Sequence, residues 1–279
     1  MAINREKILE AAQKYAEKQK YDKAILELRK VMEADPTDAR TLHRIGEHQA
    51  KQGLWPEAID TFETVGKLYT QGGFATKAVA VYKQILEVIG TRAPQLAVRY
   101  GHIAPRLAEL YCETGLNGEA LTLFKAIAND LQMQQRDGEA IEIFRRIAQL
   151  DPERPTSHLR LAEALSRARD FQGAVESFKT AAGLLVQASR RDDAIQVLER
   201  LLQHVADPDQ AWTCAQLYLS RGRLPQDAMQ ALAKLHICLQ RNPQDVNVLG
   251  HIARCFDMIG QRDKANGVRA EIQRITQRR

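Results

Sequence analysis

Between Leu42 and Leu86, apolar and small residues recur at helical spacing in two copies offset by twenty residues. The first reads I-G-E-H-Q-A-K-Q-G-L-W-P-E-A-I-D-T-F from Ile45 to Phe62, the second V-G-K-L-Y-T-Q-G-G-F-A-T-K-A-V-A-V-Y from Val65 to Tyr82. Gly46, Gly53, Ala58 and Phe62 are answered by Gly66, Gly73, Ala78 and Tyr82. A small residue, a turn glycine, a second small residue and then a ring predict antiparallel helices that cross closely, with the ring filling the space beside the crossing. Upstream, Ile8, Ala11, Ala12, Tyr15, Tyr21, Ala24, Leu28 and Val31 keep the same spacing and close at Asp35-Pro36, which predicts one more helical hairpin.

The second half of the signature, alanine followed four residues later by a large side chain, recurs at Ala24/Leu28, Ala58/Phe62, Ala78/Tyr82, Ala120/Phe124, Ala140/Phe144, Ala174/Phe178, Ala194/Leu198 and Ala228/Leu232, and breaks at Ala265/Arg269. Successive alanines stand 34, 20, 42, 20, 34, 20, 34 and 37 residues apart. A twenty-residue step has room for one long helix, a turn and the start of another, so each such step inserts a single helix after an ordinary pair. Gly90-Thr91-Arg92-Ala93-Pro94 reads as a joint, and Pro105 either kinks the following helix or marks its start.

Laid on a 34-residue ruler, Leu42, Ile45, Gly46, Ala58, Phe62 and Pro36 fall where the tetratricopeptide repeat family places W-x2-L-G-x2-Y, A-x3-F and P. The chain resembles that family. The resemblance implies an all-α, right-handed superhelical solenoid of about fifteen antiparallel helices with three single-helix insertions. Its divisions are residues 5–38, 39–90 with an extra helix, 91–153 with an extra helix, 154–207 with an extra helix, 208–244, and 245–279 with a capping helix. In such solenoids first helices build the concave wall, and a single inserted helix exchanges inner and outer roles unless the stacking angle compensates. In the fifth repeat Trp212, Ala215, Gln216, Leu219 and Ala228 take the signature positions; in the sixth, Leu249, Ile252, Ala253, Phe256, Gly260 and Ala265 do. The final helix turns basic at Lys264, Arg269, Arg274, Arg278 and Arg279, as a cap or as a contact for an acidic partner or polyanion.

Composition narrows the chemistry. The 279 residues are 44% hydrophobic and 27% charged, enough for a large core. The net charge of +5 comes from 40 basic residues interleaved with 35 acidic ones, a mixed solvated surface rather than a nucleic-acid face. No apolar run reaches the roughly 18 residues that a membrane span needs, and the start leads directly into an amphipathic pattern, so a cytoplasmic location without membrane insertion is expected. Cys112, Cys214, Cys238 and Cys255 form no CxxC pair and are expected as reduced, mostly buried thiols. No phosphate loop, nucleophile elbow, HExxH or dinucleotide fingerprint occurs, which predicts a protein that is not an enzyme and uses no cofactor. His251 with Cys255, near Cys214 and His236, is the nearest approach to a ligand set, and ordinary packing is the preferred reading; no metal site is expected.

The recurring polar feature is Arg-x-x-Glu in the first helix of each three-helix module: Arg44/Glu47, Arg106/Glu109 and Arg160/Glu163. The resemblance implies that these positions face the groove, where they would form a ladder of alternating charge that reads a peptide. The plain alternative is three solvated intrahelical ion pairs. The carboxylate clamp of chaperone-binding family members would fall on Leu9, Gln13, Arg44, His102 and Arg106, of which Arg106 alone matches, so that mode is not expected. Trp55 and Tyr100 are candidate exposed aromatics, with turn packing preferred for Trp55. The expected function is a protein-interaction scaffold that holds a partner peptide or helix in its groove and assembles a cytoplasmic complex. The alternative is an RNA- or polyanion-binding repeat. Self-association through the end faces would make a homo-oligomer. The stretches at Val79 to Leu86 and Ile3 to Tyr15 are similar to multi-repeat scaffold proteins of delta-proteobacteria, some of which organise motility or polarity machinery.

Overall fold

The computed structural model describes residues 4–277, so Arg278 and Arg279 lie outside the described residues. These residues form fifteen α-helices and one short 3-10 turn, with no strand among them. In order the helices are α1 (Arg5–Glu17), α2 (Tyr21–Ala34), α3 (Ala39–Lys51), α4 (Trp55–Gln71), α5 (Ala75–Thr91), α6 (Ile103–Glu113), α7 (Asn117–Met133), α8 (Asp137–Leu150), α9 (Pro155–Arg167), α10 (Phe171–Gln187), α11 (Arg191–His204), α12 (Pro208–Arg221), α13 (Gln226–Arg241), α14 (Val246–Ile259) and α15 (Arg262–Gln277). The chain forms two compact units, Met1–Ile127 and Ala128–Arg279, and passes from one to the other within α7.

Each anchor alanine sits in the first turn of its helix and is fully buried: Ala24, Ala58, Ala78, Ala120, Ala140, Ala174, Ala194, Ala228 and Ala265 all show no exposure. Twelve residues before eight of these nine stands a buried small residue, namely Ala12, Gly46, Gly66, Ala108, Ala128, Ala162, Ala182 and Ala253. The exception is instructive. At α12 the turn carries one more residue, its left-handed Gly222 lying six rather than five places before Ala228, and the buried small residue moves back to Ala215. Gln216, which the repeat ruler puts at the crossing, is exposed for that reason.

The twenty-residue steps produce α4, α7 and α10, each seventeen residues long. Such a helix carries the alanine of one pair in its first turn and the small residue of the next pair two turns later: Ala58 and Gly66 in α4, Ala120 and Ala128 in α7, Ala174 and Ala182 in α10. In α4, packed against α3 and α5, and in α10, packed against α9 and α11, the single inserted helix is thus second helix of one pair and first of the following pair. Pro105 marks the start of α6, in its third position, and does not kink it. The preceding joint holds a short turn at Pro94–Leu96.

Helices two apart in the chain are tied side by side. In the first unit His43 of α3 bonds Gln84 of α5, Nε2 to Oε1 at 2.9 Å. Tyr100, just before α6, donates its hydroxyl to Asp60 Oδ1 of α4 at 2.7 Å and to the Pro56 carbonyl at 3.1 Å. So α3 and α5 share one layer, α4 and α6 the other. In the second unit Ser166 meets His204 at 3.1 Å across α9 and α11, while Lys179 of α10 reaches Asp207, the N-cap of α12, at 3.1 Å. The layer of α9 and α11 therefore lies opposite that of α10 and α12. Tyr100, a candidate exposed aromatic by sequence, is 3% exposed because these two acceptors hold it inward. Trp55 is half-buried at the start of α4.

Candidate partner-binding surfaces

Arg44 and Glu47 are exposed on α3, and no contact joins them: Arg44 has no ion pair among the described residues, and Glu47 faces His43 Nδ1 at 3.6 Å. Arg106 bonds Glu113 one helical turn beyond Glu109, at 3.1 Å. Arg160 is exposed with no ion pair among the described residues, and Glu163 instead pairs with Arg200 of α11. Glu163 thus ties α9 to α11. Because α3 and α6 lie in opposite layers of the first unit, Arg44 and Arg106 do not share one wall. The shared helix α4 is the cause: after it, the first-helix role passes to the other layer.

The wall made by α4 and the start of α6 is polar but internally satisfied. Glu63 accepts from Lys67 Nζ at 2.6 Å and meets His102 Nε2 at 3.1 Å. Burial raises the Glu63 carboxyl pKa, but the hydrogen bonds from Lys67 and His102 outweigh it and leave it below its ordinary value. The hydroxyl pKa of the buried Tyr82 on α5 is raised first by burial and then by Glu63.

A different surface lies on α12 and α14, the first helices of the last two pairs. Trp212 and His251 meet edge to face, ring centroids 4.9 Å apart, and so bridge the two helices. His251 Nδ1 lies 3.0 Å from the Asn247 carbonyl, which can only accept, so Nδ1 carries the proton and Nε2 of the neutral ring is left as an acceptor. Val246, Asn247, Gly250, His251 and Arg254 line a depression of about 590 Å³, and Asn247 also borders a neighbouring one of about 290 Å³ with Trp212 and Arg241. Arg241 is held by Asp209 at 2.9 Å, whereas Arg254 is exposed and has no ion pair among the described residues. Together these groups offer an aromatic platform beside a free guanidinium and an imidazole nitrogen, a combination that binds a carboxylate flanked by an apolar side chain. Sequence reasoning weighed His251 as a metal ligand against ordinary packing, preferred packing, and did not connect it with Trp212. Its neighbour Cys255 is buried, and burial pushes that thiol up to about 11. Among the described residues no group of three or more His, Cys, Asp or Glu is placed to hold a metal ion. The four cysteines are free thiols.

The basic last helix is largely paired. Arg269 bonds Asp257 and Asn266, and Arg274 meets Glu271 at 3.2 Å. No helix of the described residues is long and apolar enough to cross a membrane.

Residues 125–185 match the tetratricopeptide repeat family. That stretch runs from α7 through α10, two of the seventeen-residue helices. No curated protein matches the chain. Among solved structures, MamA from Desulfovibrio magneticus RS-1 is 14% identical, over 57% of this chain and 96% of its own, with a TM-score of 0.31. YrrB, a tetratricopeptide protein with an unusual peptide-binding site, is 15% identical over 60% of this chain and 93% of its own, with a TM-score of 0.30. A monomeric mutant of IFIT1 with Gppp-AAAA is 13% identical over 77% and 69%, with a TM-score of 0.32.

Proposed function

We propose that this tetratricopeptide repeat chain is a non-enzymatic adaptor that holds an acidic segment of a partner protein on its α12–α14 face and so assembles a complex in the cytoplasm. The observation that carries this reading is the Trp212–His251 bridge with Arg254 unpaired beside it. Arg254, with no ion pair among the described residues, is free to meet a partner's carboxylate, whereas Arg241 nearby is held by Asp209. Arg254 takes the partner's carboxylate, Asn247 and His251 Nε2 take its amide or hydroxyl neighbours, and Trp212 covers an apolar side chain. Arg44 and Arg160, likewise exposed and without ion pairs, are further contact points in this reading, each on its own unit.

The test uses immobilised acidic peptides with an aromatic or leucine beside the carboxylate, compared with amidated and lysine-substituted versions. Saturable binding that falls about tenfold in Arg254→Glu and in Trp212→Ala supports the reading. Binding that ignores peptide charge, or a steep salt dependence with preference for RNA over every peptide, sinks it in favour of a polyanion-binding repeat.

A further inference from the structure

The first unit holds an apolar cleft that the α12–α14 reading does not use. It measures about 790 Å³ and is floored by Leu86 of α5, Leu107 and Tyr111 of α6 and Leu123 of α7. Its cause is local. His43–Gln84 ties α3 to α5 and Tyr100–Asp60 ties the start of α6 to α4, but no hydrogen bond or ion pair among the described residues joins α5 to the part of α7 in this unit. The face that α7 turns to α5 carries Gly118, Thr122 and Ala126, three small residues one turn apart, opposite Lys83 and Leu86. With only these short side chains on α7, Leu86, Tyr111 and Leu123 stay partly open above the buried Leu107.

We propose that this cleft is the docking site for one amphipathic helix of a partner protein, acidic along the flank that faces α5 and basic along the flank that faces α7. Three features select that occupant. Every lining segment is helical, with its backbone groups already bonded, so an extended peptide would bury its own N–H and C=O groups against leucine and alanine without partners. A helix satisfies its backbone internally and needs only an apolar face. The length fits: from Gly118 to Ala126 the cleft runs about 12 Å, two helical turns, which takes apolar side chains at i, i+3, i+4 and i+7. The rims differ in charge, with Lys83 exposed on α5 and Glu119 exposed on α7, neither in an ion pair among the described residues. They set the direction in which the charged flanks must lie. The Tyr111 hydroxyl, with no hydrogen-bond partner among the described residues, offers the occupant one polar contact on an apolar floor.

The probe is a stapled helical peptide of about 15 residues with leucines at those four positions, glutamates on one flank and lysines on the other. Its fluorescence anisotropy is followed with the full chain. The expected result is saturable binding that drops at least about tenfold in Thr122→Trp, which fills the cleft from an exposed position, with thermal melting unchanged. Lys83→Glu weakens the same peptide about fivefold and regains affinity for a peptide whose glutamates are replaced by lysine. Three results overturn the proposal: full affinity in Thr122→Trp, equal binding by a proline-broken peptide that cannot be helical, or no saturable binding by a correctly folded wild type. A wild-type dimer that Thr122→Trp converts to monomer in sedimentation also overturns it, by assigning the cleft to a second copy of this chain. Since Arg254 and Trp212 lie in the other unit, their variants leave this binding intact, and the two sites fail or stand separately.

Discussion

The ring of Phe62 occupies the place of a side chain at position 46: a Cβ built on Gly46 would lie 2.6 Å from its Cε1 and 2.8 Å from its Cδ1. Phe62 is fully buried, so the ring has nowhere to move. In an open helix glycine to alanine gains about 1 kcal/mol, but here the clash outweighs it, and Gly46→Ala is expected to cost about 1–3 kcal/mol in chemical denaturation. Gly183 of α10 provides the contrast, since nothing lies within 4 Å of its added Cβ. Gly183→Ala is expected to stabilise by up to about 1 kcal/mol. Equal effects at the two sites would contradict the close crossing.

Tyr100 fastens the start of α6 to α4 through Asp60 and Pro56. Burial, then the hydrogen bond to Asp60, pushes its hydroxyl up to about 12. The neutral phenol is the form that the fold favours. Its contribution is therefore complete below the ordinary tyrosine value near 10 and fades as pH rises through 10 toward 12. Tyr100→Phe should cost about 1 kcal/mol at neutral pH and flatten the alkaline limb of a stability profile.

His48 is 8% exposed, its Nδ1 has no partner, and its ring stacks on Tyr21 at 5.6 Å. Burial, with Lys51 and Arg44 nearby, lowers its pKa below the ordinary 6.5. The unfolded chain therefore takes up a proton that the folded one refuses, and stability falls as pH drops through 6.5. Urea midpoints of wild type should decline between about pH 7 and 5, and His48→Phe should lose much of that slope.

Asp227, 1% exposed, accepts from Arg221 Nη2 at 2.5 Å and Nε at 3.0 Å, and from the Arg223 backbone N–H at 2.8 Å. Arg221 holds its carboxyl below the ordinary 3.8, so this contribution is present at neutral pH and lost only in strong acid. Asp227→Ala removes the buried partner of Arg221, which keeps only the exposed Asp192 at 2.9 Å, and leaves the Arg223 N–H without its carboxylate; it is expected to cost about 2–3 kcal/mol, against much less for the exposed pair partner Asp209→Ala. Comparable midpoints for the two variants would refute the assignment.

The helical repeat was legible because alanine anchors and rings obey local spacing, and Ala58/Phe62 or Ala140/Phe144 need no knowledge of neighbours. The extra residue before Ala228 hid the switch from Gln216 to Ala215, because a ruler set by one turn length slips when the turn grows. The surfaces were harder to read. Leu86 and Leu123 look like any core leucine, and their partial opening depends on Gly118, Thr122 and Ala126 failing to reach the next helix. Arg44 and Arg106 share a repeat position, yet position within a repeat says nothing about the layer in which that repeat's first helix lies.

A helix shared between two pairs acts on the chain as a parity operation. One such helix, α4, separates α3 from α6, and one, α10, separates α9 from α12; in each unit the first-helix surface changes sides once. Chain length added in steps of twenty residues therefore does something that whole hairpins cannot: it turns a one-faced array into a two-faced one, with similar sequence motifs aimed in opposite directions. Replacing α4 by a complete hairpin would return Arg44 and Arg106 to a common side without changing either residue.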